Sequence, residues 1–167
     1  TRLANRSIFG FGYPYGNSTQ LPFIKQFFIG GNNSIRAFRS RSIGPGIYRA
    51  PDADSVSLYP DESGDIKIEA NIEYRPKLFS IVYGALFMDA GNIWDLRSHA
   101  GLPGAAFGKD FINQMAVDWG FGLRFDLTVL VLRTDLGFPV RQPFPPGQPY
   151  RFSSKGGVFN LAIGYPF

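Results

Sequence analysis

Apolar and polar residues take turns along several long stretches of this chain, and a β-strand is the backbone that sends such residues to opposite faces. Between Asp65 and Arg75, one face carries Ile66, Ile68, Ala70, Ile72 and Tyr74. The other carries Asp65, Lys67, Glu69, Asn71, Glu73 and Arg75. Val117–Leu127 repeats the pattern, with Val117, Trp119, Phe121, Leu123, Phe125 and Leu127 opposite Asp118, Gly120, Gly122, Arg124 and Asp126. Leu3–Tyr15 sets Phe9, Phe11, Tyr13 and Tyr15 against Arg6, Gly10 and Gly12. Leu130–Phe138 sets Leu130, Leu132, Leu136 and Phe138 against Arg133 and Asp135. The last stripe puts Phe159, Leu161, Ile163, Tyr165 and Phe167 on one face. Phe79–Asn92 is apolar on both faces as far as Asp89, so its sides cannot be assigned from pattern. Six strands follow, and the expected class is all-β.

Two solvents produce such stripes. In a soluble sandwich the apolar rows pack a core; in a membrane barrel they meet lipid and the polar rows line a lumen. Stretches of about ten residues suit a tilted bilayer crossing, whereas soluble strands run to roughly five or six. Phe, Tyr and Trp crowd the apolar faces, often near strand ends, where interfacial girdles sit. Connections alternate in length: tight turns at Pro76-Lys77 and between Leu127 and Leu130, long loops over 17–64, 93–114 and 140–156. That alternation is the arrangement of periplasmic turns and extracellular loops. No apolar run approaches the ~20 residues of a membrane helix. The expectation is an antiparallel transmembrane β-barrel. Six strands are fewer than the about eight that close one, and Thr1 begins almost directly in a strand. Residues 1–167 are therefore expected to be the C-terminal part of a larger barrel.

Little in the composition supports catalysis. The chain has no cysteine and a single histidine, His99, which excludes disulfides, thiolate metal sites and cysteine nucleophiles. A net charge of +4, dispersed along the chain, argues against a nucleic-acid partner. Asp52, Asp54, Asp61, Glu62 and Asp65 form an acidic cluster that suits a solvated loop better than a Ca²⁺ site. Gly30-Gly31-Asn32-Asn33 has the look of a phosphate cradle but lacks a following Lys-Ser/Thr and a helix. Pro143-Phe-Pro-Pro-Gly147 is turn chemistry. We expect no catalytic residue, no metal and no cofactor.

Segment 17–64 is too long and too apolar to be an idle surface loop. It carries Phe27, Phe28, Ile29, Ile35 and Phe38 and is expected to fold back into the lumen. Its centre has Gly30-Gly31, then Ile35-Arg36-Ala37-Phe38, then Gly44-Pro45. Downstream follow Glu73-Tyr74-Arg75, Phe87-Met-Asp-Ala-Gly-Asn-Ile-Trp94, Gly120-Phe-Gly-Leu-Arg124 and Leu136-Gly-Phe-Pro139. These motifs, in this order over essentially the whole chain, resemble the outer-membrane assembly superfamily. That superfamily, also called the bacterial surface antigen family, includes BamA, TamA and the two-partner secretion translocators. The likeness leans to its TamA/TamL-like branch.

The resemblance implies that Arg36 points into the lumen and pairs with Glu73 and Asp89, so that Ile35, Arg36, Ala37 and Phe38 anchor the loop. A guanidinium enclosed there needs carboxylate partners. Ala37 stands where the family motif has glycine; if that site needs a positive φ, alanine would be strained. The resemblance also implies a weakly paired seam at the last strand, with Gly156, Gly157 and Gly164 loosening it and Phe159, Leu161, Ile163, Tyr165 and Phe167 forming its aromatic row. The implied function is insertion, translocation and assembly of outer-membrane proteins in Gram-negative bacteria. Implied partners are outer-membrane lipids, client outer-membrane or secreted proteins, and periplasmic or inner-membrane assembly proteins. The rivals are a translocator or pore of the same architecture, a barrel anchoring an upstream hydrolase, and a soluble β-sandwich binding an apolar ligand.

Overall fold

The computed structural model describes residues 1–18, 21–48, 62–98, 101–143 and 156–167. These form one antiparallel sheet built from β1 (Arg2–Phe11), β2 (Ile66–Arg75), β3 (Lys77–Phe79), β4 (Val82–Trp94), β5 (Ala116–Asp126), β6 (Val131–Arg141) and β7 (Val158–Ile163). The spatial order is β1-β2-β4-β5-β6-β7, with β3 paired to β4. Only two short 3-10 turns, Phe23–Lys25 and Phe111–Gln114, interrupt the β-structure among the described residues. The sheet is open, as a part of a barrel would be: β1 and β7 are its edges.

Burial is inverted relative to a water-soluble sheet. Along β2, Glu69, Asn71, Glu73 and Arg75 are buried while Ala70, Ile72 and Tyr74 are exposed. On β5, Asp118 and Arg124 are buried while Trp119, Phe121 and Leu123 are exposed. Trp119 stacks on its outward neighbour Phe138 of β6, and Phe159 on β7 is 66% exposed. The greasy rows thus lie on the outside, and the soluble-sandwich alternative does not describe this chain. Strand β4, whose faces could not be assigned from its sequence, places Phe87 and Asp89 inward and Leu86 and Met88 outward.

Two expectations are corrected. The first concerns the tight turn, which lies at Ser80-Ile81 rather than at Pro76-Lys77. Proline has no N–H to donate, so Pro76 interrupts the strand without reversing it. The chain resumes as β3, Ser80 takes a φ of 32°, and Gly84 N–H donates to the Pro76 carbonyl at 2.9 Å. The second concerns the last stripe. Strand β7 stops at Ile163, and Gly164 at φ 90° turns the chain. Tyr165 and Phe167 therefore leave the outer row. The Arg75 guanidinium lies 4.5 Å from the Tyr165 ring centre and that of Arg6 lies 5.0 Å from the Phe167 ring centre. A positive φ is open to glycine at little steric cost.

Residues 21–48 cross the polar face of the sheet. Ile29, Ile35, Ala37, Phe38 and Ile43 pack with Ile93 and Ala116, and Phe27 leans on the group. Phe28 stays exposed, its ring 4.4 Å from the Arg41 guanidinium. At the same end, Asn92 Nδ2 donates to the Gly46 and Gln114 carbonyls, and Trp94 meets Phe107 edge-on. The two connections after β1 and after β4 are thereby packed together over the strand ends.

Candidate functional site

Strand register decides what stands beneath the crossing segment. One inward row runs Glu73–Phe87–Gly120–Gly137 across β2, β4, β5 and β6. The next runs Arg6–Asn71–Asp89–Asp118 from β1 to β5. Large side chains alternate with glycines, and the glycines leave room. A methyl on Gly137 would stand 3.2 Å from the Ala37 Cβ and 3.1 Å from its nitrogen. One on Gly91 would meet Ile29 Cδ1 at 2.5 Å.

Arg36 enters this space and is 1% exposed. Its Nε donates to Asp89 Oδ2 at 2.7 Å and its Nη2 to Asp89 Oδ1 at 2.9 Å, the two-pronged geometry of an arginine fork. Its Nη1 donates to Glu73 Oε2. The Phe87 ring closes the face of the guanidinium, 3.5 Å from its carbon. Burial pulls the Arg36 pKa down, but the carboxylates of Asp89 and Glu73 outweigh it and the net shift is upward. Arg36 is therefore a permanent cation. The structure thus brings Arg36, Glu73 and Asp89 into one cluster.

The rest of the motif is held by the main chain. Ala37 N–H donates to Asp118 Oδ2 at 2.8 Å, and Asn160 Nδ2 of β7 donates to the Arg36 carbonyl at 2.9 Å. Ala37 is not among the residues with positive φ, which outside glycine are Arg41, Ser80 and Thr128 among those described. Alanine is unstrained here; the position demands small size, because Gly137 lies against it. Ile35 and Phe38 are buried in the apolar group. Of the last-strand row, Phe159, Leu161 and Ile163 point outward from β7, while Tyr165 and Phe167 lie beyond its end.

Several members of the cluster were not singled out from the sequence. Glu73 accepts from three arginines: Arg36, Arg75 at 2.7 Å and Arg124 at 3.0 Å. Arg124 Nη1 also meets Asp135 Oδ1 at 2.7 Å. Asn71 Nδ2 donates to Asp89 Oδ1 at 3.0 Å and to the Ser34 carbonyl at 2.9 Å. Their signal was available, since each lies on the polar face of an alternating stripe; which of them meet depends on register. His99, Asp52, Asp54 and Asp61, and residues 144–147 of the proline-rich stretch, lie outside the described residues. Of the remaining two, Glu62 N–H donates to the Arg41 carbonyl, and the Asp65 carboxylate accepts from Gln26 and from Leu96 N–H. Chemically the cluster can hold a segment in place.

The chain is 28% identical over 86 residues to the outer membrane protein assembly factor BamA of Neisseria meningitidis serogroup B (strain ATCC BAA-335 / MC58). The aligned part is 51% of this chain and 11% of that protein. A model of the Omp85 superfamily domain matches residues 1–167. Proteins of this family are outer-membrane assembly or translocation factors of Gram-negative bacteria. With the match extending over its whole length, the chain belongs to the Omp85 superfamily.

Proposed function

We propose that residues 1–167 are the C-terminal part of an outer-membrane β-barrel whose exposed apolar rows face lipid and whose buried polar rows line a lumen. Segment 17–64 is then an extracellular loop folded into that lumen. Ile35, Arg36, Ala37 and Phe38 are its anchoring motif, and Glu73 and Asp89 are the partners of Arg36. The observation that carries this reading is the inverted burial: charge inside, aromatic and aliphatic side chains outside. In hydrocarbon every backbone group needs an internal partner, so the edges of this sheet require further strands.

The barrel acts without chemistry of its own. It inserts or translocates client proteins by letting a client strand add at the edge of β7, where main-chain hydrogen bonds substitute for water. Two features support that edge. Strand β7 has only six residues and one neighbour, and a positive-φ glycine ends it. Partners in this reading are outer-membrane lipids, client outer-membrane or secreted proteins, and periplasmic or inner-membrane assembly proteins. Within the superfamily, the motif likeness leans to the TamA/TamL-like branch.

Cysteines placed one at a time along Phe159–Tyr165, in the full-length protein carrying a stalled client barrel, test the idea. Adducts with the client's first or last strand are expected. Their absence in an otherwise functional complex would defeat strand addition. Ion conductance that rises on deletion of the loop, together with cross-links to a soluble passenger, would favour a translocating pore instead.

A further inference from the structure

The ionic cluster grips the middle of the sheet: Arg36 reaches β2 and β4, Ala37 reaches β5, and Asn160 reaches back from β7. Its link to β1 runs through Asn71, which accepts from Arg6. The Asn32-Asn33 turn, whose sequence mimics a phosphate cradle, meets β1 directly. Arg6 on β1 donates from Nη2 to the Asn33 carbonyl at 2.6 Å. Arg133 on β6 donates from Nη2 to the Asn32 carbonyl at 3.0 Å and to Asn33 Oδ1. Asn33 is thus touched by guanidinium groups from two strands with three others between them.

Arg133 has reason to hold on. It is 1% exposed, and the nearest carboxylate among the described residues, Asp135, lies 4.0 Å from its Nε. Arg124 already stands 2.7 Å from the other oxygen of that carboxylate. The directed bonds of this buried cation therefore go to neutral oxygens of the turn. Bonds from a charged donor are about twice as strong as neutral ones, and a buried cation stripped of them is costly. Arg6 is differently placed: Glu69 and Asn71 already hold it at 2.5 Å and 2.9 Å. It offers the turn a fixed donor on the first strand.

We propose that Asn33 is a cross-brace, and that Asn33 and Arg133 are positioning residues. Together they set how far β1 stands from β6 across the lumen. Beside the turn lies a space of about 660 Å³ with Arg6, Asn33, Val158 and Asn160 on its walls. The role rests on the lumenal reading of the loop given above, yet it fails separately from strand addition.

Spin labels at Ser7 on β1 and Thr134 on β6 read the spacing in the full-length protein. The protein is reconstituted in phosphatidylethanolamine–phosphatidylglycerol vesicles, with heat-modifiable mobility as the check on folding. The unsubstituted protein is expected to give a single narrow distance peak. N33A removes the side-chain acceptor and should broaden the peak and shift it to longer distance. N33D keeps a side-chain acceptor before the Arg133 guanidinium and should restore the narrow peak. Should N33A not fold, R133K, which keeps the charge but loses the fork, is expected to broaden the peak in its place. An unchanged peak in the folded N33A or R133K protein, or N33D as broad as N33A, overturns the brace. Client cross-linking along β7 with an unchanged N33A peak would remove the brace and leave strand addition standing.

Discussion

Strands β2 and β7 carry the same alternation in sequence, and the molecule treats them differently. Strand β2 runs ten residues between two partners. Its inward row is locked: Glu73 alone accepts from three arginines, and Glu69 holds Arg6 and Lys67. Strand β7 runs six residues, with β6 as its one partner among the described residues. Its inward row is Val158, Asn160 and Ala162, with one side-chain bond from Asn160 to the loop. Beyond Ile163 the apolar alternation continues in the sequence but the strand does not. A stripe marks where a strand can form; a positive-φ glycine and the bonds from its inward face decide how far it persists. Tyr165 and Phe167 are held by ring contacts with arginines, interactions worth about 0.5–2 kcal/mol each. Breaking a buried ion pair costs about 3–5 kcal/mol.

That contrast can be broken most strongly at Glu73. Glu73→Gln leaves Arg36, Arg75 and Arg124 around an uncharged group and should cost about 3–5 kcal/mol. The urea midpoint of the reconstituted barrel measures this, and a change below about 1 kcal/mol, the scale of a surface pair, would show that the cluster is solvated. The outward row of the same strand comes next. Ile72→Lys puts a charge where lipid is proposed and should cost about 2–4 kcal/mol at mid-membrane depth. A neutral outcome in vesicles would mean that the apolar row does not face hydrocarbon.

Gly137→Val tests the glycine trough under the loop. The added side chain meets Ala37 and should cost about 1–3 kcal/mol of overpacking. Residues 21–48 should become accessible to protease while the strands stay protected; protection of both would argue against contact at Ala37. The smallest effect belongs to β7. Asn160→Ala removes one bond to the Arg36 carbonyl and should cost about 1 kcal/mol. A loss equal to that of Glu73→Gln would erase the distinction between the two strands.

Much of the architecture was legible in the residues. Long strict stripes at 65–75 and 117–127 announce strands of about the observed length, and the alternation of short and long connections announces antiparallel neighbours. Where the signal was ambiguous, the reason is physical. Phe87 and Met88 are both apolar, and only contact separates them: Phe87 packs under a guanidinium, whereas Met88 points outward. The turn at Ser80-Ile81 was hidden because Pro76 looks like a turn residue yet serves as an interruption within the hairpin. Ala37 was expected to be strained only if its backbone needed a positive φ; it does not, and size is what the site selects.

Chain order and alternation therefore determined on their own that the protein is all-β, that most of its strands have one polar and one greasy face, and that residues 17–64 are too apolar to be idle. Beyond the Arg36–Glu73–Asp89 set that the resemblance implied, which charges meet was settled by folding alone. Glu73, Asp89, Asp118 and Asp135 lie on four strands, and Arg36 on the segment that crosses them. Cross-strand register, the gaps left by Gly120 and Gly137, and the path of the chain from Gly30 to Phe38 bring them within bonding distance. Pairing over such separations depends on backbone hydrogen bonds and excluded volume, which no local pattern of residue types encodes.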